Sequence, residues 1–290
     1  MSTIQQAGPG ATDEAGTDSA VAILAPRTSS MERVLRIVIP ITMLVLAVVA
    51  WHFTVVLNNI PKYILPKPYD VVVSLSTDWP TLLPALMVTL RITFTALILA
   101  LIGGVAMAIL LVQSKWIELA LFPYAVILQV TPVIAIAPLL LIYVPDTQAV
   151  LLIIAFLVAF FPILSNMVAG LKSVDHNLLN LYDLYGASRW QTLIYLKLPA
   201  ALPYFMAGLR IAGGLALIAA VVAEFAAGTA GQGSGLAFRL LEAQYRLNIP
   251  RLFAALIMLT GTGIAIFGLT SLIAWLSLHR WHESAIRREN

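Results

Sequence analysis

A chain of 290 residues that is 60% hydrophobic and only 11% charged is no soluble domain, where about a quarter of residues carry charge. Its formal charge of +3 rests on few groups, so nucleic acid is not an expected partner. Cysteine is absent, which excludes disulfides and thiol chemistry without marking a compartment.

In chain order, residues 1–33 read as a disordered tail rich in Ala, Gly, Ser and Thr, with Asp13, Glu14 and Asp18. The tail lacks the basic start and apolar core of a secretory signal. Six apolar blocks follow, at roughly 35–57, 84–112, 119–144, 148–169, 200–227 and 252–278, each near the ~20 residues a helix needs to span a bilayer. The expected fold is all-α: a polytopic membrane protein with six transmembrane helices. These form one domain over 34–278, with a second tail at 279–290. Pro123, Pro132 and Pro138 interrupt the third block, which is either a kinked helix or one whose kinks line or gate a path.

Between the first two blocks, the proline-rich segment Asn58–Pro84 suits a short surface helix. The richer Lys/Arg set lies with Arg27, Arg33, Arg36, Lys115, Lys172, Arg189, Lys197, Arg280, Arg287 and Arg288. By the positive-inside rule both termini and the 171–199 loop are cytoplasmic.

The loop at 171–199 is too long for a simple turn. Leu178, Leu181 and Leu184 or Tyr185 share one helical face, and Asp175 is placed to cap the helix start. Gly186 then breaks the helix or admits a close backbone, with small Ala187 and Ser188 after it. An apolar lead-in, Trp190–Leu198, ends at Pro199, which can open the fifth span in its first turn. Force applied to the short helix would reach that span directly.

Gly186, Leu196, Leu198 and Pro199 stand at the spacing of a cytoplasmic signature: Glu-Ala-Ala, three residues, Gly, nine residues, Ile-x-Leu-Pro. The loop thereby resembles permease subunits of bacterial binding-protein-dependent ABC importers. The Glu-Ala-Ala positions hold Asn180, Leu181 and Tyr182 instead. Thr131–Tyr143 and Leu198–Phe225, with Gly208–Arg210 and Ala223–Glu224, look like the nitrate, sulfonate, taurine and bicarbonate branch. The chain departs from that branch at Pro145–Thr147 and at AAGTAGQGSGL, Ala226–Leu236.

The resemblance implies a type I ABC importer permease-like fold, working as a homodimer in the lipid bilayer. It further implies two cytoplasmic ABC ATPase subunits carrying ATP and Mg, and an extracytoplasmic solute-binding protein. This chain would then be no enzyme and bind no cofactor or metal. The residues carried over for ATPase coupling are Asn180, Asp183, Gly186, Ala187, Arg189, Leu198 and Pro199. The cargo would be a small anion of the branch's kind, or an aromatic nitrogen compound such as a vitamin precursor, which the departure at 226–236 keeps open.

Ionisable residues in a span are expensive and mark function or special pairing. Arg210 either pairs structurally with a carbonyl or lipid phosphate, or lines a path for an anion. Glu224, about 21 Å further along the helix, suits a gate, an inter-subunit hydrogen bond or interfacial exposure; Arg91 is its partner or snorkels. With Pro132 these are the candidates for a path or gate. GTAGQGS, Gly228–Ser234, lacks the Gly-Lys-Ser/Thr ending of a phosphate loop and suits a flexible turn or re-entrant cap. FRLLEAQYRLNIPRLF, Phe238–Phe253, suits an interfacial helix. His52 and His176 are isolated, and His279 with His282 lacks a third metal ligand. An intramembrane enzyme or scaffold would need a nucleophile or ligand cluster, and a secondary transporter would need repeated halves; neither pattern is visible.

Overall fold

The computed structural model describes residues 30–228 and 233–279, and every regular element among them is helical. Most of the tail expected at 1–33, the tail at 280–290 including His282, and residues 229–232 of the glycine-rich stretch lie outside the described residues.

The chain divides after Thr54 into two units. The described part of the first belongs to helix α1 (Ser30–Leu57), whose Val34–Leu57 stretch is long and apolar enough to cross a membrane.

In the second unit, α2 (Pro68–Thr77) is the short helix expected between prolines, and α3 (Trp79–Gln113) follows it after one residue. At 35 residues, α3 reaches about 52 Å, longer than the ~30 Å hydrocarbon core. Its start at Trp79 lies upstream of the predicted boundary because Pro80 occupies the first turn, where no intrahelical N–H bond is needed. Next come α4 (Lys115–Val130), α5 (Val133–Tyr143), α6 (Thr147–Lys172), α7 (His176–Leu184) and α8 (Arg189–Thr192). A π-helical turn (Leu193–Lys197), α9 (Leu198–Ala227), α10 (Leu236–Tyr245) and α11 (Ile249–Leu278) complete the chain.

Two sequence expectations need correction. The third apolar block is not one kinked helix: Lys115–Val130 and Ala135–Tyr143 are bent by 104°, so it is one of six spans only if the pair counts as one. Proline chemistry explains the break. Thr131 precedes Pro132 and is extended at φ −70°, ψ 126°, as a residue before proline prefers, and Pro132 itself is extended. The second concerns the lead-in to the fifth span: Pro199 stands in the first turn of α9, as expected, but the helix does not begin there. The chain is helical from Arg189 to Ala227, 39 residues. The π turn just before Pro199, where the Leu198 N–H reaches the Leu193 carbonyl, widens the ladder where the proline ring would crowd it.

The core lies where α6 packs on α9 and α3. Small residues let the backbones approach, as membrane helices require in the absence of a hydrophobic drive between them. Gly170 faces Ala201 and Tyr204, Gly208 faces the Pro162 carbonyl and Asn166, and Gly104 faces Ile163 and Leu164. Ala155, Ala159, Ala212, Ala216 and Ala220 are fully buried around them.

Candidate functional site

The loop at 171–199 folds as two linked pieces. Asp175 caps α7 by accepting from the Asn177 N–H at 2.8 Å. At the other end, the Ala187 N–H bonds the Tyr182 carbonyl and the Gly186 N–H bonds Asp183, each at 3.0 Å. That pair is a Schellman ending, and it places Gly186 in the left-handed region at φ +67°. Nothing lies within 4 Å of where a Gly186 Cβ would be, so the glycine serves backbone shape and not close approach. Ser188 then caps α8 in a reciprocal box: its Oγ accepts from Gln191 N–H, and Gln191 Oε1 accepts from Ser188 N–H at 2.7 Å.

No residue of α7 is buried. Leu178 and Leu181 are about half exposed, and Leu184 and Tyr185 are 85% and 83% exposed. Asn180, Asp183 and Arg189 are also exposed, while Leu198 and Pro199 are half-buried. Asp183, Ala187 and Arg189 line a cavity of about 300 Å³ with Gln113, Leu193 and Lys197. The sequence-predicted coupling residues thus divide between an exposed helix, a polar cavity beneath it and the root of α9. At the same end, Lys172 of α6 pairs with Glu118 of α4.

At the opposite end, Glu224 is 2% exposed and Thr89 fully buried. The Thr89 hydroxyl donates to Glu224 Oε1 at 2.7 Å, and Glu224 Oε2 accepts from the Ala237 N–H at 2.9 Å. The Leu236 N–H donates to Thr89 Oγ1 at 2.8 Å. Glu224 is therefore not interfacially exposed, and Arg91 is not its partner. Arg91 is exposed and lines a separate cavity of about 480 Å³ with Thr95, Asp146, Gln148 and Gly233. Sequence reasoning missed Thr89; its one visible signal is a hydroxyl in an apolar span, 135 residues from the carboxylate it meets.

Arg210 is exposed on α9, with its guanidinium carbon 5.9 Å from the centre of the Phe267 ring on α11. That is a cation–π contact rather than an ion pair. Pro132 sits at the α4–α5 break and borders an apolar cavity of about 250 Å³ with Val133, Ile154, Val158, Ile218 and Val222. The three path or gate candidates are not brought together at one point. His279 stacks on Trp275 at 4.6 Å, and no group of three potential metal ligands occurs among the described residues.

An all-helical chain with several helices long and apolar enough to span a bilayer, and one amphipathic loop helix left exposed, defines a polytopic membrane protein. Residues 100–288 match the family of binding-protein-dependent transport system inner membrane components, and the chain belongs to that family of ABC importer permeases. It is 33% identical to a probable ABC transporter permease protein of Haemophilus influenzae, over 85% of this chain and 98% of that one. It is 33% identical to the riboflavin transport system permease protein of Chloroflexus aurantiacus, over 90% of this chain and 97% of that one. It is 32% identical to the formylaminopyrimidine transport permease protein of Halalkalibacterium halodurans, over 81% and 92%. Permeases named for nitrate, aliphatic sulfonate, taurine and bicarbonate transport are 29–30% identical over 55–68% of this chain and 56–74% of theirs. Among solved structures, an amino acid ABC transporter with histidines shares the fold at a TM-score of 0.59 and 18% identity, covering 72% of this chain and 98% of that one. Membership of the family gives this chain a transport role, as a multi-pass membrane permease.

Proposed function

We propose that two copies of this chain form the membrane path of an importer whose ATP hydrolysis, with Mg, takes place on two separate cytoplasmic subunits. The observation that carries this reading is α7. Its apolar face, Leu178, Leu181 and Leu184, is left uncovered by the rest of the chain, as a helix-in-groove contact requires. Asn180, Asp183 and Arg189 would border the contact, and Gly186 and Ala187 would form the joint. Leu198 and Pro199 would carry movement into α9, because the helix is unbroken from Arg189. In this reading the loop end and both termini face the cytoplasm of an inner membrane, and α2 and α10 face outward toward a solute-binding protein. Pro132, at a break, and Glu224, joining three helices at the outer end, are assigned to the path or its gate; Arg210, exposed on α9, joins them only in the small-anion reading.

For cargo we favour an aromatic nitrogen heterocycle of the vitamin-precursor kind. The relatives named for riboflavin and formylaminopyrimidine align over nearly their whole length, and those named for small anions align over shorter stretches. A small anion is the second reading, supported by the exposed guanidinium groups of Arg91 and Arg210.

The deciding experiment co-expresses the chain with candidate ABC ATPase and solute-binding-protein subunits from the same genome. Riboflavin, pyrimidines, nitrate, taurine and bicarbonate are then tested by thermal shift of the binding protein and by stimulation of ATP hydrolysis in proteoliposomes. Co-purification of the ATPase, with stimulation by a heterocycle, supports the favoured reading. Stimulation by an anion alone replaces the cargo, and failure of any ATPase to co-purify overturns the importer reading.

A further inference from the structure

The first N–H groups of a helix have no intrahelical acceptor, and a side chain at the residue before the helix ordinarily supplies one. That residue in α10 is Gly235, which has no side chain to offer. The acceptors come from elsewhere in the fold. Thr89 Oγ1 of α3 takes the Leu236 N–H, and Glu224 Oε2 of α9 takes the Ala237 N–H. The two side chains are joined to each other by the Thr89–Glu224 hydrogen bond. Gly235 has φ −81° and ψ −176°, a conformation open to any residue, so its backbone does not demand glycine. Space does: a Cβ there would overlap the Glu224 carboxylate. A carboxylate at this position also meets the positive end of the α10 dipole.

We propose that Glu224 is a positioning residue: with Thr89 it caps α10 from outside that helix and clasps it to the outer ends of α3 and α9. The three helices then travel as one body at that end. α10 ends at exposed Tyr245, followed by exposed Arg246, which pairs back to Glu242 of the helix, so the clasp fixes the pose of a surface offered to the extracytoplasmic partner. This deepens the assignment of Glu224 to the gate and rests on the importer reading for the identity of that partner. It differs from a cargo contact, because Glu224 is sealed inside the protein and its bonds are to protein groups.

Glutamine separates the cap from the charge. In Glu224→Gln the amide oxygen can accept from Ala237 and the amide NH2 can donate to Thr89 Oγ1. The Thr89 hydroxyl hydrogen then turns to the Ala85 carbonyl, already 3.4 Å away. Alanine at 224 offers neither bond, and Gly235→Ala expels the carboxylate without touching it chemically.

The test uses the full transporter complex, with a cysteine replacing the fully buried Ala243 of α10 as a reporter in this cysteine-free chain. A membrane-impermeant maleimide measures how often α10 lifts away. Glu224→Ala and Gly235→Ala are expected to raise the labelling rate about tenfold, the change in open population one lost cap implies. Both should raise, by a similar factor, the binding-protein concentration giving half-maximal ATPase stimulation. Glu224→Gln should stay near the parent in both measurements. If Glu224→Ala fails to assemble, Gly235→Ala against Glu224→Gln decides alone. Unchanged labelling in Gly235→Ala overturns the clasp, and so does a Glu224→Gln variant that labels like Glu224→Ala. A parent complex that no binding protein stimulates sinks the importer reading, while the labelling still judges the clasp.

Discussion

Arg251, in the first turn of α11, forms an ion pair with Asp78, the residue that precedes α3. The same carboxylate accepts from the Ser74 hydroxyl of α2 at 2.6 Å, so one side chain ties three helices at the end that carries α10. The side chains are 14% and 21% exposed, which leaves little water to screen them. Asp78→Asn should therefore lower the stability of the detergent-purified protein by about 1.5–3 kcal/mol at pH 7, the range for a hydrogen bond to a charged group. The hydrogen bond from Arg251 holds the Asp78 carboxyl below its ordinary value of 3.8. A depressed folded value means the stabilisation is complete above 3.8 and fades as pH falls through the lower folded value. The gap between parent and Asp78→Asn should accordingly close in that acid range and stay constant above it. Thermal unfolding across pH measures it, and a gap that widens in acid would contradict this account.

Gly208 and Gly214 lie six residues apart in α9 but in opposite surroundings. A Cβ at Gly208 would stand 2.9 Å from the Pro162 carbonyl oxygen and 3.0 Å from Asn166 Cβ, whereas Gly214 has nothing within 4 Å. Gly208→Ala should force α6 and α9 apart and cost about 1–3 kcal/mol, the usual range for overpacking. Gly214→Ala should be neutral or slightly stabilising, since alanine favours a helix by up to ~1 kcal/mol over glycine. Paired melting curves check both. Equal loss in the two variants would mean that the α6–α9 approach is not what Gly208 serves.

Much of this architecture is legible in the residues. Apolar runs locate the spans, Asp175 announces the α7 start, and prolines bracket α2. Other features depend on residues distant in sequence. Nothing near Glu224 points to Thr89 or to the N–H of Ala237, because a cap supplied from another helix leaves no local pattern. The π turn before Pro199 is similarly hidden, since the lead-in has ordinary helical apolarity. The break at Pro132 differs again: three prolines signal interruption, but whether a helix kinks or turns by 104° depends on what it packs against.

Gly186 holds a left-handed backbone in open space, so its substitutions separate strain from collision. Alanine there should cost about 1–2 kcal/mol through its Cβ, and asparagine, which tolerates that region, should cost less. In the importer reading, Gly186→Ala and the bulkier Gly186→Trp weaken ATPase co-purification and stimulated hydrolysis, and Gly186→Asn retains more of both. Membrane insertion should be the same in all three. A tryptophan variant that recovers ATPase as well as the parent would remove α7 from the coupling role.

The proposed orientation can be checked because the chain has no cysteine of its own. Asp183 and Tyr245 are both exposed, on α7 and at the end of α10. In intact cells an impermeant maleimide should label Tyr245→Cys and leave Asp183→Cys untouched until the membrane is opened. The reverse pattern would invert the topology and place the exposed loop helix outside, where no ATPase could reach it.

Arg210 is the residue on which the two cargo readings diverge. It lies on the exposed side of α9, and its described partner is the face of Phe267, a contact worth about 0.5–2 kcal/mol depending on how dry it is. A structural guanidinium needs both its charge and the ring, so Phe267→Leu should reproduce part of the stability loss of Arg210→Ala. Arg210→Lys should keep part of that stability, because an ammonium also binds a π face. If the guanidinium instead meets an anionic cargo, Arg210→Ala should assemble normally, its transport should fall, lysine should restore part of that transport, and Phe267→Leu should leave it unchanged. We expect the structural pattern, with melting temperature moving before transport in both Arg210→Ala and Phe267→Leu. Normal melting in Arg210→Ala with lost uptake of nitrate, taurine or bicarbonate would reverse this and bring the small-anion reading forward.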